Sequence, residues 1–246
     1  MSLEQRSINA MLEHRSIRVK MIRMATKSQR TERRTDALSK RRIVEAAQDI
    51  LDTAGERALT FRALAARLAT GPGAIYWHVA DKNELLAATT DDVIARVMTE
   101  VTEGATPQEV IRSVAVGVFD VIDTHPWVGA QLAREPAQTA MLQIFERIGR
   151  QLEALGVPER AQFDSASALV NYILGVAGQN AANARIHGGR TDRSTYLATI
   201  AAQWAQLDPA EYPFVRRVSA QLRDHDDREQ FLAGIDLILA GITTVG

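Results

Sequence analysis

Apolar residues in this chain recur every three or four positions in one segment after another, and that period decides what it can fold into. Ile43, Ala47, Ile50, Leu51 and Ala54 share one helical face, as do Leu85, Leu86, Val93, Val97 and Val101. No β-type alternation survives over four or more residues between turn signals, and there is no internal repeat or low-complexity tract. The fold class this dictates is all-α. A chain of 246 residues suits one compact helical body, or a small domain joined to a larger one. No apolar run reaches the roughly 18 residues needed to span a bilayer, so no membrane partner is expected. With no Cys, disulfides and thiolate metal sites are excluded, and no signal-peptide pattern opens the chain. Cytoplasm is the expected compartment.

Punctuation divides the periodic segments. Helix one starts after Ser39 and is ended by Gly55. Thr60 is a good N-cap for a short second helix with Phe61, Leu64, Ala65 and Leu68 on its apolar face, and Ala69-Thr70-Gly71 breaks it. Pro72 suits the start of a third short helix, with Ile75 and Val79 inward, and Asp81 with Glu84 resembles a capping box opening a long fourth helix to about Val101. Thr106-Pro107-x-Glu109 opens the next helix, ending near Thr124. A short segment follows from Trp127 to Leu132. Pro136 opens a helix to Leu155, and Pro158 one to about His187. A further helix surrounds Tyr196, Ile200 and Trp204, and a last one begins near Asp226. The expected domains are a basic, disordered arm over residues 1–38, a head over 39–86 and a helical body over 87–246.

Charge is unevenly distributed. Residues 1–42 carry twelve Lys and Arg against four Asp and Glu, a balance of +8, which leaves 17 against 26, or −9, for the rest. A cationic segment beside a small helical unit suits a polyanion, because each neutralised phosphate releases counterions; the acidic remainder would be repelled by DNA.

Two short helices joined by a tight turn, the second able to enter a major groove, are the minimum device for reading base edges. Residues 60–78 have that form, with Ala65 the small residue inside the turn and Ile75 locking the pair. The run Leu59-Thr60-Phe61-Arg62-Ala63-Leu64-Ala65-Ala66-Arg67-Leu68, then Ile75-Tyr76-Trp77-His78-Val79, then Asp81-Lys82-Asn83-Glu84-Leu85-Leu86 resembles the tetracycline-repressor (TetR) family over about Ser39 to Leu86. The resemblance implies a three-helix DNA-binding head, a connecting fourth helix, and an effector-binding body that dimerises through a four-helix bundle. It implies DNA-facing roles for Arg62, Tyr76, Trp77, His78 and Lys82. Thr60, Thr70, Gly71, Gly73 and Ala74 complete the candidate contacts, with Gly73 offering only backbone and Ala74 only a methyl suited to a thymine contact, and direct readout is expected to rest on Arg62, Thr70 and the basic arm. Arg62 would reach a base edge or phosphate, Tyr76 and His78 phosphates, Trp77 the groove wall, and Lys82 the DNA backbone. Packing of Tyr76 and Trp77 against helix one is the plain alternative. The chain departs from the family's pattern at Gly71, Pro72, Gly73 and Ala74, where polar base-reading side chains commonly stand.

In the body, the last helix is apolar nearly all round, so it is expected to be buried against its own core and a second surface. Small residues on the helix before His187 permit close helix approach. Gly175, Gly178, Ala182, Phe231, Ile235 and Ile238 are the expected dimer contacts. The candidates for an effector pocket are His125, Trp127, Asn171, Tyr172, Gln179, Asn183 and Trp204. The three amides could equally be bundle-interface groups, and His125, before Pro126, fits a helix end better than a ligand. No His, Asp or Glu cluster has metal-ligand spacing, so no metal or cofactor is expected. GxSxG, Walker and HExxH motifs are absent, which sets a helical enzyme low. The function expected is a ligand-released repressor that binds a palindromic operator as a homodimer; the alternative is a non-allosteric helical DNA-binding or adaptor protein.

Overall fold

A computed structural model describes residues 38–99, 104–187, 193–223 and 225–244. The basic arm falls outside them apart from Leu38. Every regular element among the described residues is helical.

The head is built from α1 (Lys40–Ala54), a 3₁₀ turn (Glu56–Ala58), α2 (Phe61–Arg67) and α3 (Pro72–Tyr76). Ser39 caps α1 by accepting from the Arg42 amide at 3.3 Å, and Gly55, at φ 76°, stops it in a conformation that only glycine adopts without strain. Thr60 caps α2 through the Ala63 amide at 3.1 Å. The turn between α2 and α3 passes through Ala69 at φ 50°, a left-handed non-glycine residue, and is closed by the Thr70 amide donating to the Ala65 carbonyl at 2.9 Å. Ile43, Ala47, Leu64, Ile75 and Val79 are buried where these helices meet.

Next comes α4 (Lys82–Thr99), whose first turn is tied down twice: the Glu84 amide donates to Asp81 Oδ1 at 2.8 Å, and Glu84 Oε2 accepts from the Ala80 amide at 2.7 Å. Leu85, Leu86, Val93 and Ile94 on α4 belong to one hydrophobic cluster that runs from Ile43 in the head to Ile242 near the C-terminus. Head and body therefore share a wall.

The body comprises α5 (Pro107–Thr124), α6 (Pro126–Arg134), α7 (Thr139–Ala154), α8 (Glu159–His187), α9 (Arg193–Ala205), α10 (Pro213–Val218) with a 3₁₀ turn (Ser219–Leu222), and α11 (Asp227–Ile242). The capping box at Thr106 and Glu109 is complete. Two features differ from expectation. Pro136 does not open α7; it lies in a turn, and the helix starts at Thr139 because Asp91 of α4 accepts from the Ala140 amide at 2.8 Å, a cap supplied from another helix. The short α10 and its 3₁₀ extension, between α9 and α11, are elements with no counterpart among the sequence expectations.

The core of the body is a bundle of α5, α7, α8 and α11. Phe231 stacks on Phe119 with ring centroids 4.6 Å apart, and Gly234 lies so close beneath Tyr172 that a Cβ there would fall 1.9 Å from the phenolic oxygen. Two ion pairs join α5 to α11 in opposite senses, Arg112 to Asp236 at 2.6 Å and Asp120 to Arg228 at 3.1 Å.

Candidate DNA-binding face and effector cavity

Most of the candidate DNA contacts are exposed. Arg62 projects from the first turn of α2 and is exposed; Gly71 and Gly73 are exposed on α3, with Ala74 and Thr70 half-buried beside them. Trp77 is 89% exposed, so packing against α1 is not its role. Tyr76 is 56% exposed and stacks face to face on Phe61, centroids 4.4 Å apart, which fixes its ring and leaves the edge outward. His78 is half-buried. Thr60 is exposed, and its hydroxyl, which accepts from the Ala63 amide as the cap of α2, keeps its own O–H to donate. Lys82 is not a free charge, since its ammonium donates to the Glu56 carbonyl at 2.6 Å and so ties the start of α4 to the turn after α1; two of its N–H groups remain for a phosphate.

The effector candidates separate into three places. Gln179, Asn183 and Trp204 line a cavity of about 440 Å³ between α8, α9, the second 3₁₀ turn and the start of α11. Five carboxamides, from Gln179, Asn180, Asn183, Gln221 and Gln230, face it together with Val176, Leu197 and the Trp204 ring. On the wall formed by the start of α11, Asp227 is paired with Arg193 at 2.7 Å and His225 at 3.0 Å, and Arg193 also donates to the His225 carbonyl at 2.7 Å. The Asp227 carboxylate is thus already neutralised.

His125 and Trp127 are elsewhere: His125 stands at the junction of α5 and α6, in keeping with its reading as a helix-end residue, while Trp127 lies in α6 and its assignment to the cavity is corrected. Both reach Asp52 on α1: His125 Nδ1 lies 2.7 Å from Asp52 Oδ1, and Trp127 Nε1 donates to the same oxygen at 2.7 Å. Arg134 adds an ion pair to Glu56 at 3.2 Å. Helix α6 is therefore a latch between body and head, held there because Pro126 begins it where both flanking side chains point at α1. Asn171 and Tyr172 are also outside the cavity. Asn171 is exposed on the outer side of α8, while Tyr172 donates to the Phe231 carbonyl at 3.2 Å, and burial raises its phenol pKa.

The expected dimer contacts divide similarly. Gly175 and Ala182 are exposed on α8 and Gly178 is half-buried, with open space where a Cβ would stand at either glycine. Ile238 is half-buried. Phe231 and Ile235 have no exposed surface within the protomer and cannot give any to a partner; they are core residues because their side of α11 faces α5 and α8. The outward side of α11 carries Leu237, 75% exposed, which the sequence reading did not single out. Asp52, Asn180, Gln221, His225, Asp227 and Gln230 were likewise not singled out. Polar residues on exposed helix faces carry no periodic signal of their own. Among the described residues no group of three or more His, Asp or Glu could hold a metal, and no helix is long and apolar enough to cross a membrane.

A helix-turn-helix head sharing a core with a cavity-bearing helical body defines a one-chain DNA-binding regulator. The comparisons make this specific. Residues 43–89 match the family model for bacterial regulatory proteins of the tetR family, and residues 102–245 that for the tetracyclin repressor-like C-terminal domain. The chain belongs to the TetR family of transcriptional regulators. An HTH-type transcriptional regulator of Saccharopolyspora erythraea is 31% identical over 139 residues, 56% of this chain and 59% of that relative, so the match spans under two thirds of its length. Among solved structures, the TetR regulator SCO7222 of Streptomyces coelicolor is 53% identical with a TM-score of 0.79, covering 85% of this chain and 99% of that one. ActR of Streptomyces coelicolor, solved with (S)-DNPA, shares the fold at 22% identity and a TM-score of 0.69, over 85% and 98% of the two chains. BioQ, solved with its double-stranded DNA operator, is 26% identical with a TM-score of 0.55, over 84% and 99%.

Proposed function

We propose that this protein is a repressor that binds a palindromic operator as a homodimer and is released by a small molecule seated between α8, α9 and α11. It acts in the cytoplasm as a binding protein and not as an enzyme. The observation that carries the reading is the cavity of about 440 Å³ in a body latched to a DNA-binding head. Its volume suits a drug-sized ligand, and apolar walls with a few convergent polar groups are the usual lining of such sites. The amides offer paired donors and acceptors without net charge and Trp204 offers a ring to stack on, so an uncharged, oxygenated ring system fits best. Relatives support both halves: BioQ is known with operator DNA and ActR with a small molecule.

Occupation of the cavity shifts α8 against the bundle, and α6 carries the displacement to α1 through Asp52. Half-sites one helical turn apart, about 34 to 36 Å, tolerate little change in head separation. Ligand and DNA must then weaken each other equally, by about 1–3 kcal/mol. A thermal-shift screen of neutral and charged small molecules, with each stabilising hit retested for release of bound DNA, tests this. Hits that raise the melting temperature, fail to bind a Trp204→Ala variant and release DNA are expected. Hits that stabilise without altering DNA affinity would leave a constitutive DNA binder as the better account.

A further inference from the structure

The exposed face of α3 is peculiar for a base-reading helix. Between Thr70 and Tyr76 no side chain carries a hydrogen-bond donor or acceptor, and Pro72 also lacks a backbone N–H. Gly71 adopts φ −83° and ψ 146°, open to any residue, and a Cβ built at Gly71 or Gly73 meets nothing within 4 Å. Neither backbone conformation nor internal packing demands glycine there. Glycine weakens a helix relative to alanine, and α3 has only five residues and no side-chain cap. A residue from which the protein itself gains nothing points to something outside the protein filling that space. Trp77, one turn beyond Gly73, is 89% exposed and adds the carbon faces of an indole ring.

We propose that α3 selects its operator by close apolar contact with thymine C5-methyl groups, made by Gly71, Pro72, Gly73, Ala74 and the Trp77 indole. This rests on the operator-binding reading above and names what that face recognises. In the major groove each base edge is distinct, and only thymine presents a carbon group. Pressed against this surface, guanine or adenine would leave N7, O6 or N6 facing carbon and without water, so selection works by exclusion as well as by attraction. Glycines at 71 and 73 let the helix approach to the distance at which a methyl is desolvated. Orientation on the duplex comes from the neighbouring cations, Arg62 first.

The test uses the full chain and a duplex selected from a random-sequence pool. The duplex is resynthesised with each thymine of one half-site replaced in turn by uracil, which removes only the methyl. Binding is expected to weaken about fourfold for each methyl that α3 covers. At the same positions a C·G pair should bind more tightly when its cytosine is 5-methylated. Gly73→Ala is expected to raise the melting temperature of the free protein while weakening the selected duplex, and Gly73→Leu to weaken it further. Equal binding of thymine and uracil duplexes at every position, or a Gly73→Ala variant that binds at least as tightly as the parent, overturns the proposal and leaves operator binding intact. Failure to select any duplex overturns operator binding itself, and this inference with it.

Discussion

Asp52 offers the sharpest test of how head and body are joined. Its Oδ1 accepts from both Trp127 Nε1 and His125 Nδ1 at 2.7 Å, and Trp127 is only 5% exposed. Replacing Asp52 by Ala takes the partner from the indole N–H of a side chain that is itself buried. A buried donor left without a partner costs about 1–3 kcal/mol. The His125 contact adds less, because the His125 side chain is 18% exposed and its ring nitrogen finds water more readily than the buried indole does. A loss of about 2 kcal/mol is expected in urea unfolding followed by far-ultraviolet circular dichroism. The cause is isolated by Trp127→Phe, which removes the donor and keeps a ring in the core. In that background Asp52→Ala should cost about 1 kcal/mol less than in the parent. Effects of the two substitutions that add to within about 0.3 kcal/mol would refute the latch as an energetic link, whatever the distances. If the link is real, Asp52→Ala also blunts ligand-driven DNA release more than it lowers DNA affinity.

Three further outcomes are expected. Ala69→Gly relieves the left-handed strain at φ 50° and should stabilise the head by about 1 kcal/mol, seen as a higher urea midpoint with unchanged slope. Leu237→Asp, at a site 75% exposed in the protomer, should leave a folded chain that sediments as a monomer, whereas Ile235→Asp, at a site with no exposure, buries an unpaired charge and should abolish folding; a dimeric Leu237→Asp protein would remove α11 from the interface. Hydrogen bonds from the amides of Ala80, Thr106 and Glu229 lower the pKa values of Glu84, Glu109 and Asp226. The native state therefore binds fewer protons than the unfolded chain, so their stabilising effect is complete above the ordinary 4.5 of a glutamate and is lost as pH falls through the lowered values. Glu84→Gln with Glu109→Gln should flatten the acid limb of a stability-against-pH curve, and an unchanged limb would show that other groups govern it.

The head was legible almost to the residue because its signals are local. Ser39, Gly55, Thr60 and Pro72 act within one turn of where they stand, and the motif from Leu59 to Leu86 has a fixed length. The start of α7 was misread because its cap, Asp91, belongs to another helix, and no pattern near Pro136 records a bond made across 49 positions. His125 stands at a helix end, as its place before Pro126 suggests. Trp127 carries a polar group set among apolar ones, but its partner is Asp52 and not a ligand. Whether such a group faces a cavity or a neighbouring helix is decided by packing. In the last helix the period correctly showed two apolar sides. Assigning Phe231 and Ile235 to the outer one failed, since the choice between inner and outer depends on where α5 lies.

The crossed ion pairs between α5 and α11 have a consequence separate from stability. Arg112 and Asp120 are eight residues apart on one helix, and Arg228 and Asp236 eight apart on the other, with the order of charges the same along each chain. Laid antiparallel, each cation meets an anion. Laid parallel at the same spacing, Arg112 would oppose Arg228, and Asp120 would oppose Asp236. Partly exposed pairs such as these add little binding energy, yet the sign reversal makes the wrong orientation repulsive at both ends. The four charges thus act as a polarity code for the terminal helix, repeating in electrostatic terms the direction that the Phe231–Phe119 stack and the close fit of Gly234 beneath Tyr172 require.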